Sequence, residues 1–162
     1  MNLVSKLLRL LERNGRQTSQ QLAAMLGEDE AKIQQEMARL EKEKVILGYN
    51  TVINWDKVKD EGVTAMIDVK VAPERERGFD SIAERIYRFP EVKCVYLMSG
   101  TYDLSLLVEG QDLKEIAAFV SQKLSTLAQI QSTTTHFILK RYKQDGFIFE
   151  DHEEDRRLMI SP

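Results

Sequence analysis

The spacing of apolar residues changes character near residue 62. In residues 3–12, Leu3, Leu7, Leu8, Leu10 and Leu11 fall largely at helical spacing and Asn14-Gly15 stops the run, which predicts a first helix. Thr18 with Gln21 three residues later forms a capping-box pattern ahead of Leu22, Ala23, Met25 and Leu26, and Gly27 closes this second, short helix. Asp29 is placed to cap a third helix over residues 30–44, where Ile33, Met37 and Leu40 form one stripe. Three helices with a tight turn at Gly27 make a helix-turn-helix. Residues 45–54 are rich in β-branched side chains and broken by Gly48, so a two-stranded wing is expected after the third helix. The charged stretch 55–62 reads as a linker or short helix.

From Val63 onward short apolar runs alternate with helical ones: strand 63–71, helix 79–89, strands 92–99 and 102–109, helix 113–127, strand 130–141. Pro73, Gly78, Pro90 and Gly100-Thr101 supply the turns, and Asp112 a helix cap. The order βαββαβ gives a ferredoxin-like fold with both helices on one sheet face. The expected class is therefore α+β: a winged helix-turn-helix domain at 1–61, a ferredoxin-like domain at 62–144, and an acidic tail at 145–162 with apolar residues at both ends. Apolar positions on the uncovered sheet face are most simply buried by a second copy, so a homodimer is expected.

Composition narrows the function. A chain of 162 residues suits one ordinary domain or two small ones, and its 43% hydrophobic content supports packed cores. The net charge of -3 lacks the basic excess of a general nucleic-acid binder; residues 1–62 balance to zero and the acidity lies beyond them. No apolar run is long enough to cross a bilayer and the first residues lack a signal-peptide pattern, so no membrane association and a cytoplasmic location are expected. The one cysteine, Cys94, is expected as a small buried hydrophobe, and with His136 and His152 far apart neither metal nor cofactor is expected. The absence of a nucleophile motif, a paired-carboxylate signature or a Gly-rich phosphate loop argues against an enzyme.

Asn14-Gly15-Arg16, Leu22-Ala23, Leu26-Gly27, Arg39-Leu40-Glu41, Val45-Ile46, Gly48-Tyr49, Gly100-Thr101-Tyr102-Asp103, Phe119, Leu124 and Ser132-Thr133-Thr134-Thr135 follow one another in a fixed order and spacing. Across residues 3–143 this series resembles the Lrp/AsnC family of feast/famine regulators. The resemblance implies a DNA-binding head, a ferredoxin-like body that pairs subunits and assembles further into octamers or related rings, and an amino-acid effector at subunit interfaces. A sensor or assembly protein that no longer binds DNA, and a haem-pathway decarboxylase-like enzyme, share the same domains.

For double-stranded DNA, Thr18, Ser19 and Gln20 at the start of the second helix, with Arg16 behind them, offer donors to phosphate. On the third helix Lys32, Gln34, Gln35 and Arg39 reach outward toward base edges or phosphates, and Lys44 follows at the wing. Where relatives are often basic this chain has Gln35 and Glu36, and the helix opens with Glu28-Asp29-Glu30; these carboxylates repel phosphate. Either Lys32, Arg39 and Lys44 carry the contact, or each head binds weakly and several linked heads supply the affinity. For the effector, an amino acid needs an acceptor such as Asp103 and donors such as the Tyr102 and threonine hydroxyls, so Gly100, Thr101, Tyr102, Asp103, Thr133 and Thr135 are the candidate residues. A plain structural role fits them too, with Asp103 ending a turn and the threonines serving strand propensity.

Overall fold

The computed structural model describes residues 2–58, 62–72, 75 and 78–149. Contacts divide the chain into two units, Met1–Ile53 and Asn54–Pro162.

In the first unit, α1 (Leu3–Arg13), α2 (Ser19–Leu26) and α3 (Glu30–Lys42) close on a core of Leu7, Leu11, Leu22, Ala23, Ile33 and Leu40. Each fully buried leucine or isoleucine contributes roughly 1.5–3 kcal/mol by leaving water. The Thr18 capping box is complete in both directions, and Gly27 ends α2 at φ 68, a backbone that favours glycine. Asp29 occupies the N-cap position of α3, but its side chain accepts no capping bond.

The expected two-stranded wing is not formed: no strand is present between Val45 and Asn54. The reason lies at the end of α3. Lys44 adopts φ 58, its N–H bonds to Glu41 O, and the N–H groups of Val45 and Ile46 both return to Leu40 O. This is a Schellman termination, and it consumes the residues that would have started the first wing strand. Gly48 has no positive φ, so no hairpin turn forms there.

The second unit opens with a short 3₁₀ turn, Trp55–Lys57, and then follows the expected order: β1 (Val63–Val71), α4 (Asp80–Ile86), β2 (Val92–Leu97), β3 (Leu104–Gly110), α5 (Leu113–Ala118) and β4 (Ile130–Phe137). The four strands form one antiparallel sheet in the order β2-β3-β1-β4. Alternate residues of β1, namely Ala65, Ile67, Val69 and Val71, are buried on one face with Ile82 and Ile86 of α4 and Ile116 of α5. Past Ala118 the helix continues as a π-type turn, Phe119–Leu124, with Ser125 N–H reaching back to Val120 O; Phe119, Leu124 and Leu127 are buried.

The other sheet face has no helix, and pairing sets its rows. Cys94, Leu107, Met66 and His136 lie side by side across all four strands, and Tyr96, Ser105, Asp68 and Thr134 form the next row. Cys94 is thus half-buried on this open face rather than in the core.

After β4 a small hairpin joins β5 (Lys143–Gln144) to β6 (Phe147–Ile148) through Asp145 and Gly146, both at positive φ. Asp-Gly is a strong two-residue hairpin signal, and the expected domain edge at 144 falls inside this unit. Pro73 of the expected turns, His152, the acidic run 150–155 and the apolar cluster 158–160 lie outside the described residues.

Candidate DNA-binding head and effector loop

The start of α2 and one side of α3 are tied together by polar contacts. Ser19 Oγ donates to Glu30 Oε1 at 2.8 Å, and the Gln34 amide donates to both Ser19 Oγ at 3.1 Å and Glu30 Oε1 at 3.0 Å. Thr18 is occupied as the cap of α2, its hydroxyl accepting the Gln21 N–H. Three of the expected phosphate or base contacts, Thr18, Ser19 and Gln34, therefore already hold partners, whereas Gln20 and Gln35 are exposed.

Two of the three cations of α3, Lys32 and Arg39, are paired with carboxylates in or directly beside the helix. Lys32 Nζ donates to Glu28 at 2.6 Å, and this bond raises its pKa. Arg39 donates through Nε and Nη2 to both oxygens of Glu36, at 2.9 and 2.8 Å, and through Nη1 to Glu43 at 2.8 Å. Hydrogen bonds to Glu36 and then Glu43 hold the guanidinium further toward its charged form, and the bond from Arg39 lowers the Glu36 pKa. All of these side chains are at least partly exposed, so the pairs cost little to open. Arg16 and Lys44 are exposed and make no ion pair among the described residues. The acidic character of α3 is visible in the sequence, and the pairing of Lys32 and Arg39 with carboxylates follows from i,i+3 and i,i+4 spacing.

The loop Gly100–Asp103 joins β2 to β3 at the end of the sheet where β1 finishes. Gly100 sits at φ 144, and Met98 N–H bonds to Asp103 O across the turn. Asp103 Oδ2 accepts the Val71 N–H at 2.8 Å, and Lys70 Nζ lies 3.4 Å from Asp103 Oδ1 and 3.2 Å from Thr101 O. Tyr102 meets Thr134, hydroxyl to hydroxyl, at 2.7 Å.

Register separates the candidate threonines from this cluster. Thr133 pairs with Val69 and Thr135 with Ile67, so both share the helix-covered face, while Thr134 pairs with Asp68 and Ser132 with Lys70 on the open face. The residues brought together at the loop are thus Thr101, Tyr102, Asp103, Lys70, Ser132 and Thr134; Thr133 and Thr135 point the other way. Lys70 and Thr134 join the cluster through the pairing of β1 with β4, which the alternation of either strand alone does not give.

A cavity of about 1190 Å³ lies elsewhere in this unit. It is lined by Trp55, Thr64, Glu91, Glu109, Ile138 and Arg141 among others, at the opposite end of β1 and β3 from the loop, and contains none of the loop residues. The loop cluster is the ligand candidate because it brings polar side chains of several elements together.

Among the described residues no helix is long and apolar enough to cross a membrane. A family model described as the Lrp/AsnC ligand binding domain matches residues 64–148. The HTH-type transcriptional regulator YugG of Bacillus subtilis is 52% identical over 98% of this chain and 96% of its own length. Among solved structures, a transcriptional regulator from Neisseria meningitidis in complex with L-Met has TM-score 0.71 at 22% identity, covering 89% of this chain and 92% of that one. The leucine response regulatory protein of Mycobacterium tuberculosis has TM-score 0.74 at 24% identity, covering 93% and 99%. A helix-turn-helix unit followed by a β2-β3-β1-β4 sheet carrying Gly100-Thr101-Tyr102-Asp103 at its edge, matched over nearly its whole length by such a relative, belongs to the Lrp/AsnC family.

Proposed function

We propose that this chain is a DNA-binding transcription regulator whose second unit takes an amino acid and pairs subunits into a homodimer that assembles further. The observation that carries the reading is the head: three helices on one apolar core, with α2 capped and α3 presenting Lys32, Gln35 and Arg39 outward. A helix-turn-helix of this order lays its second helix into the major groove and sets the preceding one against the backbone. The relative YugG is named as an HTH-type transcriptional regulator, which supports the same role here. The amino-acid effector is supported by the polar cluster at Gly100–Asp103 and by the L-Met complex of the Neisseria protein. Octamers or related rings are the assembly the family resemblance implies.

The internal ion pairs of α3 favour a second reading, a sensor or assembly protein with little DNA affinity of its own. One titration separates the two. The purified chain is expected to shift duplex DNA from upstream of its own gene at low salt, with affinity falling as salt rises, and the shift should respond to at least one of the twenty amino acids. Absence of any shift, or binding indifferent to salt, rejects the regulator reading.

A further inference from the structure

We infer that Lys70 takes the carboxylate of the proposed amino-acid effector, so that recognition at this loop depends on a free carboxylate as well as on the ammonium. The inference rests on the reading of the Gly100–Asp103 loop as an effector site, and adds to it a residue from a different strand.

Lys70 is the last open-face residue of β1, paired with Ser132 on β4. Directly beyond it the β1–β4 register shifts, Val71 pairing with Ile130. The skipped residue, Gln131, makes a bulge of the kind that re-aims neighbouring side chains. The ammonium has three donors. One reaches Thr101 O at 3.2 Å, a second makes the long contact to Asp103 Oδ1 at 3.4 Å, and the third has no partner among the described residues. With its side chain 42% exposed, the group is open to a ligand.

Asp103 alone does not complete a site for a zwitterion. One of its oxygens is committed to the Val71 N–H, and Oδ1 carries only the long contact to Lys70. Two opposite charges held at 3.4 Å, the cation unsatisfied, form an open pair. An α-amino acid lying across it presents its carboxylate to Lys70 and its ammonium to Asp103 Oδ1, replacing one long contact by two shorter, charge-assisted ones. Ser132 and Thr134 share the face with Lys70, and the Tyr102 hydroxyl touches Thr134, so three hydroxyls flank the carboxylate position. An amide or ester lacks the charge Lys70 answers, and a 2-oxo acid lacks the ammonium Asp103 answers.

Calorimetric titration of the full chain with the twenty L-amino acids identifies the tightest, which is then compared with its own amide and 2-oxo acid in wild type, Lys70→Met and Lys70→Arg. Wild type is expected to prefer the free acid over the amide by at least tenfold. Lys70→Met should bind the acid at least tenfold more weakly and lose that preference, while Lys70→Arg keeps both to within a few-fold. Thermal melts of the three proteins check that the fold is intact. Undiminished binding and an intact acid-over-amide preference in Lys70→Met overturn the assignment of Lys70 while leaving the effector reading standing. Failure of wild type to bind any of the twenty overturns both.

Discussion

The Asp103 carboxylate stands where a strand carbonyl is missing, Oδ2 accepting the Val71 N–H at 2.8 Å. Asp103 N–H bonds to Val69 O and β3 begins at Leu104, so the next inward N–H of β1, that of Val71, meets no backbone acceptor. A buried N–H without a partner is costly, and the side chain supplies one. Asp103→Ala is expected to lower the unfolding free energy by about 1–3 kcal/mol, the cost of an orphaned donor bonded to a charged group. Asp103→Asn should lose much less, because its amide oxygen can still accept. Urea unfolding of both variants checks this; equal losses would mean that the bond is unimportant.

This strand-end substitution shows what the sequence could and could not reveal. The period-two pattern of Val63–Val71 and the caps at Thr18 and Asp112 depend on near neighbours, and those elements begin where expected. The wing failed because β-branched content at 45–54 says nothing about the α3 termination competing for the same backbone groups. Alternation along β4 gives two faces without saying which one the helices cover, so by itself it does not separate Thr133 and Thr135 from Tyr102. Only the pairing of Thr133 with Val69 settles that. Lys70 and Asp103 are 33 residues apart, and no local rule joins them.

Lys44 holds a left-handed backbone, φ 58, at the position of the Schellman turn where glycine is usual. A β-carbon there costs about 1–2 kcal/mol relative to glycine. Lys44→Gly is therefore expected to raise the melting temperature of the head. The same change removes an exposed cation that the regulator reading assigns to phosphate, so DNA affinity should fall and the salt dependence should flatten by about one charge. A stabilised protein with unchanged DNA binding would remove Lys44 from the interface.

Tyr49 donates its hydroxyl to Glu41 Oε1 at 2.8 Å, and burial followed by this bond pushes its pKa up to about 12. A free tyrosine ionises near pH 10, so folding favours the neutral phenol. The stabilisation is complete below about pH 10 and is lost as pH rises through about 12. Because the residue is 46% exposed the effect is modest. Tyr49→Phe should show a shallower loss of stability across this alkaline window than wild type. Glu41→Gln should lower the pH at which the Tyr49 phenol ionises, read as the tyrosinate absorbance step that Tyr49→Phe removes.

Arg39 is clamped between Glu36 and Glu43, so a phosphate or guanine must compete with two carboxylates for it. Glu36→Gln removes the bidentate partner and one repelling charge from the same face. DNA binding at moderate salt should tighten by a few-fold, whereas Arg39→Ala together with Lys32→Ala should weaken it and leave oligomer size unchanged. Gel-shift titrations at two salt concentrations distinguish these outcomes. No gain from Glu36→Gln would place Arg39 away from the DNA.

The open sheet face supplies the last test. Cys94, Leu107 and Met66 form an apolar row; Met66, on a central strand, is 46% exposed, which is unusual for an isolated subunit, and Tyr96 on the edge strand β2 adds a further exposed ring. Packing two such faces back to back buries the row and leaves Thr134, on the edge strand β4, nearer the rim. Because Met66 is already half in water, Met66→Lys should be tolerated by the subunit itself. In a face-to-face pair it would set two like charges into an apolar seam around a two-fold axis. Sedimentation equilibrium is therefore expected to show wild type as a dimer or larger and Met66→Lys as a monomer with an unchanged circular-dichroism spectrum. A dimer that survives both Met66→Lys and Tyr96→Arg would move the subunit interface off this face.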